Sequence, residues 1–441
     1  MNQKINHMFC IKERGSTIQK EITGGATTFM TLAYIVFVQP VVLSAAGMDF
    51  GAVMNATCIG SAIACFIMGF AANYPIALAP AMGHNFYFVF TIVIGMGISW
   101  RVALAATFAA GVLFLIISII GVRQKIMDSL PASLMNAISC GIGLMIALIG
   151  LKWSGIIVEH KGTLVGLGDL SSLPVLLALF GFGVISVLLV KKVPGAILIG
   201  MFAAAIFGLI FGIVEYQGIV SYPPSISPTA FKLDLKGLFS TDMLVVVAVL
   251  LFLDVFDTIG TLVGIAPEAG LIKNGKVSVS NNALLADAGG TVVGSLLGTS
   301  TITCYVESAV GIQCGARTGL APIVTGILLL LTPFFYPLVK MFGGGVPGFG
   351  SMMLYPVTAP ALIIVGVMMM KSSARIAWGQ PAEAIPAFLT IIMMPLTVSI
   401  TDGIAFGLIS YSCLAVVCGN KAPWPLHVCA ALMLLRYIFL V

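Results

Sequence analysis

The sequence predicts an all-α polytopic membrane protein with about 14 transmembrane segments. Three observations carry this prediction: only 8% of the 441 residues are charged, 59% are hydrophobic, and the mean hydropathy is +1.12. Soluble domains carry about 25% charged residues because their surface faces water. A chain with so few charges cannot cover a globule of this size with polar groups, so its solvent is expected to be largely lipid.

Apolar stretches long enough to span a bilayer, about 20 residues each, divide into two sets. The first seven lie near 24–47, 52–72, 76–97, 102–121, 132–150, 174–190 and 194–214. The second seven lie near 243–265, 284–298, 300–316, 318–339, 354–370, 384–399 and 401–419. We therefore expect an N-terminal tail (1–20), a first seven-span unit (21–214), an extracytoplasmic connecting segment (215–242), a second seven-span unit (243–419) and a C-terminal tail (420–441). The last apolar stretch, 424–440, contains His427 and Arg436 and is expected to be peripheral or interfacial.

The distribution of basic residues predicts the orientation, because cytoplasmic loops of membrane proteins carry an excess of Lys and Arg. With the N-terminus inside, 14 basic residues fall on the cytoplasmic side and 6 on the opposite side, with Arg436 unassigned. The first 20 residues are polar and basic and lack the apolar core of a cleavable signal peptide. We expect a protein of the plasma membrane, the inner membrane of a bacterium, with a cytoplasmic N-terminus.

The two seven-span units predict an inverted repeat, because a second copy of an odd number of spans enters the membrane with the opposite orientation. Transporters often use this design, with the ligand site near the midplane. The third span of each unit is interrupted, by Pro75 and Pro80 in the first and by the β-branched run 299–303 in the second. Non-helical backbone at membrane depth is tolerated where it lines a cavity or is buried in protein. Short extended segments in spans 3 and 10 therefore predict a binding site, and short kinked helices are the alternative.

Four acidic residues lie inside the predicted spans of the second unit: Asp254, Asp257, Asp287 and Glu307. An acidic residue at the bilayer centre costs about 2.5–3.5 kcal/mol on insertion scales and usually marks a transport pathway or a proton relay. Thr258 and Thr261 continue the helix face of Asp254 and Asp257 at helical spacing, which predicts one polar stripe. For each acidic residue, the alternative is a structural hydrogen bond between helices.

The first unit carries polar and aromatic residues at the matching place. His84, Asn85 and Phe86 follow the interrupted start of span 3, as Glu307 and Ser308 follow that of span 10. An imidazole can accept a proton or bind a ligand, and an aromatic ring can stack on a planar one. Two carboxylates brought together within a membrane repel each other, which favours a bound proton. A purely structural role for His84 stays open.

Several motifs in succession are similar to those of one family: EITGGATTFMTLAYIVFVQP, NYPIALAPAMGHN, ISCGIGLMIALIGLK, FDTIGTLVG, LLADAGGTVVGSLLGTSTITCYVESAVG, RTGLAPIVTG, TAPALIIVGVMM and IPAFLTIIMMPLTVSITDGIAFG. From about residue 18 to 419 the chain resembles the AzgA-like purine permeases of the nucleobase–cation symporter, or nucleobase–ascorbate transporter, group. The resemblance implies a uracil-permease-like fold of fourteen spans. It also implies a core domain (spans 1–4 and 8–11) that moves like an elevator against a gate domain (spans 5–7 and 12–14).

The resemblance also implies roles for individual residues. In the group, an acidic residue of span 8 and a glutamate of span 10 bind the base and couple it to protons. Matching FDTIGT and YVESA gives these roles to Asp257 and Glu307. The expected substrate-binding set is Asp257, Glu307, Asn85, His84, Phe86, Thr301, Ile302, Thr303 and Ser308, with backbone amides of 301–303 included. The expected proton-coupling set is Asp257, Glu307, Thr261 and Asp287, supported by Asp254 and Thr258.

The chain departs from the family pattern at the predicted site. His84 and Phe86 stand in a run that is usually GMGLNA-like, and Gln39 replaces the usual asparagine before proline in the first span. Since His84 and Phe86 would line the site, these departures bear on which base is the cargo.

The sequence therefore predicts a proton symporter that imports a purine nucleobase (adenine, guanine or hypoxanthine). The alternatives are a transporter of another nucleobase-like heterocycle, or an anion exchanger or channel on the same fold, although two acidic residues beside the site disfavour an anion. No motif for a nucleophile with its base, a metal cluster or a phosphate loop is present, so neither an enzyme, a cofactor nor a metal site is expected. The expected partners are the base, a proton, the lipid bilayer and a second copy of the chain bound through the gate domain, with no nucleic acid.

Overall fold

The computed structural model describes residues 2–120, 131–160, 162–269, 272–273, 276–277, 280–348, 353–419 and 423–439. Seven helical stretches in these ranges are long and apolar enough to cross a bilayer: Ile18–Ser44, Phe50–Ala72, Trp100–Ile120, Ala132–Trp153, Leu173–Val190, Leu320–Phe342 and Ile400–Val417. Three shorter apolar helices accompany them: Met82–Gly95, Ala196–Ile210 and Pro381–Thr397. The chain is a polytopic helical membrane protein, and the count of fourteen spans stays a prediction. Four basic residues behind the predicted orientation, Arg123, Lys125, Lys161 and Lys421, lie outside the described residues.

The first half combines long helices with one short strand at the predicted interruption. Its first helices are α1 (Asn2–Phe9), α2 (Ile18–Leu32), α3 (Tyr34–Ser44) and α4 (Phe50–Ile67), and α4 continues as a π-helical turn, Met68–Ala72. The strand β1 (Leu78–Pro80) leads into α5 (Met82–Phe86), the π-helical segment Tyr87–Gly95 and α6 (Trp100–Ile120). The half ends with α7 (Ala132–Trp153), the hairpin of β2 (Ile157–His160) and β3 (Leu164–Leu167), α8 (Leu173–Val190) and α9 (Ala196–Ile210).

The second half follows an irregular segment with one 3-10 turn, Lys236–Leu238. It begins with α10 (Thr241–Ala269), β4 (Ile272–Lys273), β5 (Lys276–Val277), α11 (Asn281–Leu297), β6 (Ile302–Cys304) and α12 (Ser308–Gln313). It continues with α13 (Leu320–Leu331), a 3-10 turn Thr332–Phe335, α14 (Tyr336–Phe342), β7 (Val346–Pro347) and β8 (Met353–Leu354). It ends with α15 (Ala359–Met369), a 3-10 turn Met370–Arg375, α16 (Pro381–Thr397), α17 (Ile400–Val417) and α18 (Trp424–Phe439).

Local side-chain chemistry explains where several of these helices begin and end. Thr17, Asp49, Ser280 and Ser399 each accept a backbone N–H from the first turn of α2, α4, α11 and α17. Each cap gives a partner to one of the N–H groups that a helix start leaves free. Gly298 ends α11 with φ +98°, which glycine adopts without the steric cost of a Cβ. This turn directs the chain into the extended segment that contains β6.

The helices pack in two sets. In one set, α7 packs against α15 and α16, and α16 packs against α17. In the other set, α2 and α4 pack against α13, and α4 and α6 pack against α11. Contacts of α9 with α15 of the first set and with α2 of the second set join the two sets. Whether these sets move as core and gate domains stays a prediction.

Glycines allow the backbones of the second set to approach closely. A Cβ on Gly319, just before α13, would lie 2.1 Å from the carbonyl oxygen of Gly69 in the turn that follows α4. A Cβ on Gly25 of α2 would lie 2.4 Å from the carbonyl oxygen of Ala321. Small residues at helix contacts are a common basis of packing in membranes, because van der Waals contact replaces the hydrophobic effect there.

The C-terminal segment forms a helix that packs along the preceding one. The hydroxyl of Ser412 on α17 lies 2.7 Å from His427 Nδ1 on α18. The Tyr437 hydroxyl donates to Asp402 Oδ1 at 2.6 Å. Because the residue later in α18 meets the residue earlier in α17, the two helices run antiparallel.

Candidate functional site

Two short strands, one from each half, meet in the interior. β1 pairs antiparallel with β6, with Leu78 opposite Cys304 and Pro80 opposite Ile302. Two further backbone hydrogen bonds extend the pairing, from Ala81 N–H to the Thr301 carbonyl (2.9 Å) and from Tyr305 N–H to the Ala77 carbonyl (3.0 Å). Pro80 has no N–H to lose at this position, and its carbonyl accepts the Tyr305 hydroxyl at 2.5 Å. The backbone groups that the broken spans expose are therefore largely satisfied by each other.

A cavity of about 690 Å³ lies beside this strand pair. Five residues of the predicted site line it: His84, Asp257, Thr261, Thr303 and Glu307. The wall combines these polar groups with methionine and isoleucine side chains from α5, α7 and α15. A concave, mostly apolar site with a few convergent polar groups is the usual form of a small-molecule site.

Glu307 has a fixed hydrogen-bond partner in the cavity wall. It lies between β6 and α12 and is only 9% exposed. The Tyr34 hydroxyl donates to its Oε1 at 2.9 Å, and Tyr34, the first residue of α3, also lines the cavity. A carboxylate has about four acceptor positions, so Glu307 keeps acceptor positions for a ligand.

Asp257 presents its side chain to the cavity. It lies on α10, its side chain is exposed, and it belongs to the cavity wall. Thr261, one turn later, is partly buried in the same wall. The predicted polar stripe of α10 therefore reaches the cavity at these two positions, while Thr258 and Asp254 are buried.

Asp287 and Thr258 lie behind β6 and hold it in place. Asp287 Oδ2 accepts the Thr258 hydroxyl at 2.5 Å, and Oδ1 accepts the Cys304 N–H at 2.8 Å. The Thr258 hydroxyl also lies 3.0 Å from that of Thr303. Since Thr303 lines the cavity, this network connects a buried acidic residue to the cavity wall through one hydroxyl pair.

Asn85 is part of a second buried network rather than of the cavity wall. Its amide nitrogen donates to Gln39 Oε1, and its oxygen accepts the Ser300 hydroxyl. Gln39 Nε2 donates to both Thr299 and Ser300 at 3.0 Å, and Thr299 meets the Thr57 hydroxyl at 3.1 Å. This network joins α3, α4, α5 and the turn before β6. It also gives the unusual Gln39 a role, since its amide spans from Asn85 to the turn.

Four other predicted substrate-binding residues face protein in this structure. Phe86 is fully buried and stacks on Phe90, with ring centroids 5.7 Å apart and planes 9° apart. The Thr301 carbonyl accepts the Ala81 N–H, and the Ile302 side chain packs against the glycines of α4 and α11. The Ser308 hydroxyl accepts the Ala77 N–H at 3.0 Å. These residues fix the strand pair that carries the cavity wall.

His84 lies in the cavity wall with incomplete hydrogen bonding. It belongs to α5, is 3% exposed, and its Nε2 has no hydrogen-bond partner among the described residues. A buried polar atom without a partner costs about 1–3 kcal/mol.

The sequence alone missed several polar residues of the wall. Tyr34 stands in an apolar run and Tyr305 lies two residues before Glu307, while Asn136 and Ser139 are polar residues of α7; all four line the cavity. Lys371 and Arg375, in the 3-10 turn after α15, also line the cavity and are exposed. Asn136 could be noticed in the sequence as a polar residue within an apolar span. Nothing in the sequence indicates that α7 lines the same cavity as α10.

Comparison with known proteins places this architecture in a family. The Permease family model (Xan_ur_permease) matches residues 19–406. The chain belongs to the Permease family. It is therefore a membrane transporter and not an enzyme, and the resemblance found in the motifs is confirmed at the level of the family.

Permeases with similar sequences come from bacteria and an archaeon. A putative permease of Methanocaldococcus jannaschii is 48% identical over 440 residues, covering 99% of this chain and 98% of that one. The guanine/hypoxanthine permease PbuG of Bacillus subtilis is 46% identical over 426 residues, covering 94% of each chain. The adenine permease AdeQ of Escherichia coli is 42% identical over 440 residues, covering 98% of this chain and 96% of that one.

Solved structures share the fold of this permease at low sequence identity. The transmembrane domain of the cyanobacterial bicarbonate transporter BicA aligns with a TM-score of 0.64 and 19% identity, covering 88% of this chain and 97% of that one. SLC26A9 aligns with a TM-score of 0.61 and 14% identity, covering 92% of this chain and 66% of that one. At these low sequence identities, the structural similarity shows a shared fold and nothing about the substrate.

Proposed function

We propose that this permease imports a purine nucleobase together with a proton, by elevator-type movement of a core domain against a gate domain. The observation that carries the proposal is that Asp257 on α10 and Glu307, just before α12, line one cavity beside the β1–β6 pair. Carboxylates accept hydrogen bonds from the N–H groups of a heterocycle and can also take up a proton. The guanine/hypoxanthine and adenine permeases among its relatives support a purine as the cargo.

The chemistry of the cavity fits a planar polar solute better than an anion. Its acidic pair would repel an anion at the inner end, and the Tyr34–Glu307 hydrogen bond (2.9 Å) orients one carboxylate for a donor on the ligand. The apolar side chains of the wall can pack against the faces of a planar ring while its polar edge forms hydrogen bonds with the acidic residues. Both the packing and the hydrogen bonds would contribute to the affinity for the base. A proton on one carboxylate lowers the net charge that moves with the core, which links movement to the proton gradient.

The position of the basic residues supports an inward-open arrangement. Lys371 and Arg375 line the cavity and are exposed, and the sequence predicts that both lie on the cytoplasmic side. We propose that this arrangement releases the base to the cytoplasm, with a cytoplasmic N-terminus and a plasma-membrane location. A homodimer formed through the gate domain belongs to the same proposal.

The test is uptake of radiolabelled adenine, guanine, hypoxanthine, xanthine and uracil into cells that lack their own nucleobase permeases. We expect uptake of at least one purine that a protonophore abolishes. Glu307→Gln and Asp257→Asn each remove a charged hydrogen-bond partner, worth about 1.5–3 kcal/mol, so each should reduce uptake about 10- to 100-fold. Glu215→Gln, at an exposed loop position, is the matched control and should transport like the unchanged protein.

Two outcomes would contradict the proposal. Absence of uptake for every base, with the protein present in the membrane, would exclude nucleobase transport. Proton coupling through this pair would be excluded if the protonophore did not reduce purine uptake. It would also be excluded if purine uptake were unchanged in both Glu307→Gln and Asp257→Asn.

A further inference from the structure

Asp254 is a buried acidic residue that the proposed transport cycle does not use. It lies on α10 and is 1% exposed, and the cavity wall does not include it. Its Oδ1 has no hydrogen-bond partner among the described residues. Its Oδ2 has one neighbour, the Thr291 hydroxyl of α11 at 3.3 Å. Among the residues that the structure describes, the ionisable groups that act on it electrostatically are Asp287 on α11 and Asp257 on its own helix, and both are acidic.

Counting hydrogens bears on the direction of the Asp254–Thr291 hydrogen bond. The Thr291 hydroxyl carries one hydrogen and contacts two oxygens, Asp254 Oδ2 at 3.3 Å and the Ile302 carbonyl at 3.0 Å. A carbonyl oxygen can only accept, so an ionised Asp254 would share the single hydrogen of Thr291 with that carbonyl, and at the longer of the two distances. A protonated Asp254 would instead donate to the Thr291 oxygen, and each contact would then have a hydrogen of its own.

The cost of burial leads to the same protonation state. A buried carboxylate without a cation or enough donors loses several kcal/mol of hydration, and such a group takes up a proton instead. Asp254 has no donor other than Thr291 among the described residues. Asp287 is the contrast, because it accepts two donors, the Thr258 hydroxyl at 2.5 Å and the Cys304 N–H at 2.8 Å. A separation of 2.5 Å is typical of a hydroxyl donating to an ionised carboxylate.

We propose that Asp254 holds a permanently bound proton and acts as a positioning residue, donating to Thr291 so that Thr291 can hold β6. In this arrangement the chain Asp254–Thr291–Ile302 supports one end of β6, while Asp287 holds Cys304 at the other end. Of Asp254, Asp257 and Asp287, Asp257 alone lines the cavity and then remains to exchange a proton with it. The uptake assay for this inference rests on the proposed function, because it requires that the protein transports a base. A spectroscopic measurement tests the bound proton of Asp254 independently of transport.

The decisive comparison is between two substitutions at one position. Asp254→Asn replaces the carboxylic acid with a neutral donor of the same shape, so uptake should stay within about threefold of the unchanged protein, with the same pH profile and the same sensitivity to protonophore. Asp254→Leu has a similar size but no donor, and uptake should fall about 10-fold or more, since an unmade buried hydrogen bond costs about 1–3 kcal/mol. Asp287→Asn is the matched control on α11 and should impair uptake, because an amide cannot accept at both of its positions.

Infrared difference spectra of the purified protein test the proton itself. At about pH 7, far above the pKa near 3.9 of a free aspartate, the unchanged protein should show the carbonyl band of a protonated carboxylic acid that Asp254→Asn lacks. Absence of that difference band would overturn the inference even if no base is transported. Loss of proton coupling, a shifted pH profile or failure to fold in Asp254→Asn would overturn it as well. If the unchanged protein takes up no base, only the proposed function fails.

Discussion

Replacing Asn85 by leucine tests whether this residue binds the cargo or holds the strand pair. Leucine has nearly the same size but neither donates nor accepts, so the Gln39 oxygen and the Ser300 hydroxyl would each lose the partner that Asn85 provides. All three side chains are at most 1% exposed, so water cannot easily replace the lost partner. A buried polar group left without a partner costs about 1–3 kcal/mol, which gives about 2–6 kcal/mol for the two.

Such a loss is a large part of the stability of a typical domain, about 5–15 kcal/mol. We therefore expect the Asn85→Leu protein to melt at a clearly lower temperature in detergent and to transport more slowly at every substrate concentration. Asn282→Leu is the matched control, since Asn282 is exposed and makes one side-chain hydrogen bond, to the Ala71 carbonyl at 2.8 Å. It should cost about 1 kcal/mol or less.

The measurement is thermal unfolding of the purified variants, together with the KM and maximal rate of uptake. An unchanged melting temperature combined with an increase of KM alone would refute the network argument. Asn85 would then bind the substrate directly, as the sequence predicts.

Two further predictions follow from the packing and from the cavity. Gly319→Ala would place a Cβ 2.1 Å from the Gly69 carbonyl oxygen, so the protein should be lost or strongly destabilised. Gly379→Ala is the control, since a Cβ there would have no described atom within 4 Å, and this variant should accumulate normally. Immunoblots of membranes measure both variants, and equal amounts would contradict the packing argument. Tyr34→Phe removes the hydroxyl that donates to Glu307 at 2.9 Å with little change of volume, so Glu307 loses the group that orients it and KM for the purine should rise about 10-fold. The melting temperature should fall less than in Asn85→Leu, because Glu307 lines the cavity, where water can replace part of the lost hydrogen bond. An unaltered KM would mean that this bond does not orient Glu307 for the cargo.

The resemblance to the family selects Asp257 and Glu307 from four acidic residues, and the cost of burying charge in lipid explains why acidic residues within spans attract notice at all. Asp257 and Glu307 do line one cavity. The cost of burial does not separate them from Asp254 and Asp287, since helical spacing shows which residues share a face and not what that face meets. Asp254 and Asp287 face the neighbouring helix and β6, where their partners come from other elements of the chain.

The residues after the broken spans show a similar limit. The sequence places Asn85, Phe86 and Ser308 close to the predicted site, but their side chains contact protein in this structure. Tyr34 and Asn136 reach the cavity, although each stands in a helix that the sequence treats as an ordinary span. Which way a side chain points depends on the phase of a short helix of five or six residues, and that phase is set by the pairing of β1 with β6.

The sequence by itself determined that this protein is embedded in a lipid bilayer, because a chain with 8% charged residues cannot cover a water-soluble surface of this size. It also determined the family, because long runs of side chains in one order carry that information without any contact. Only the tertiary structure decided which polar groups share a cavity and which hold the strand pair. That choice rests on contacts between different elements, several of them between residues 200 or more positions apart, such as Tyr34 with Glu307 and Asn85 with Ser300. Hydrogen bonds of this kind depend on distance and direction in space, which no spacing along the chain records.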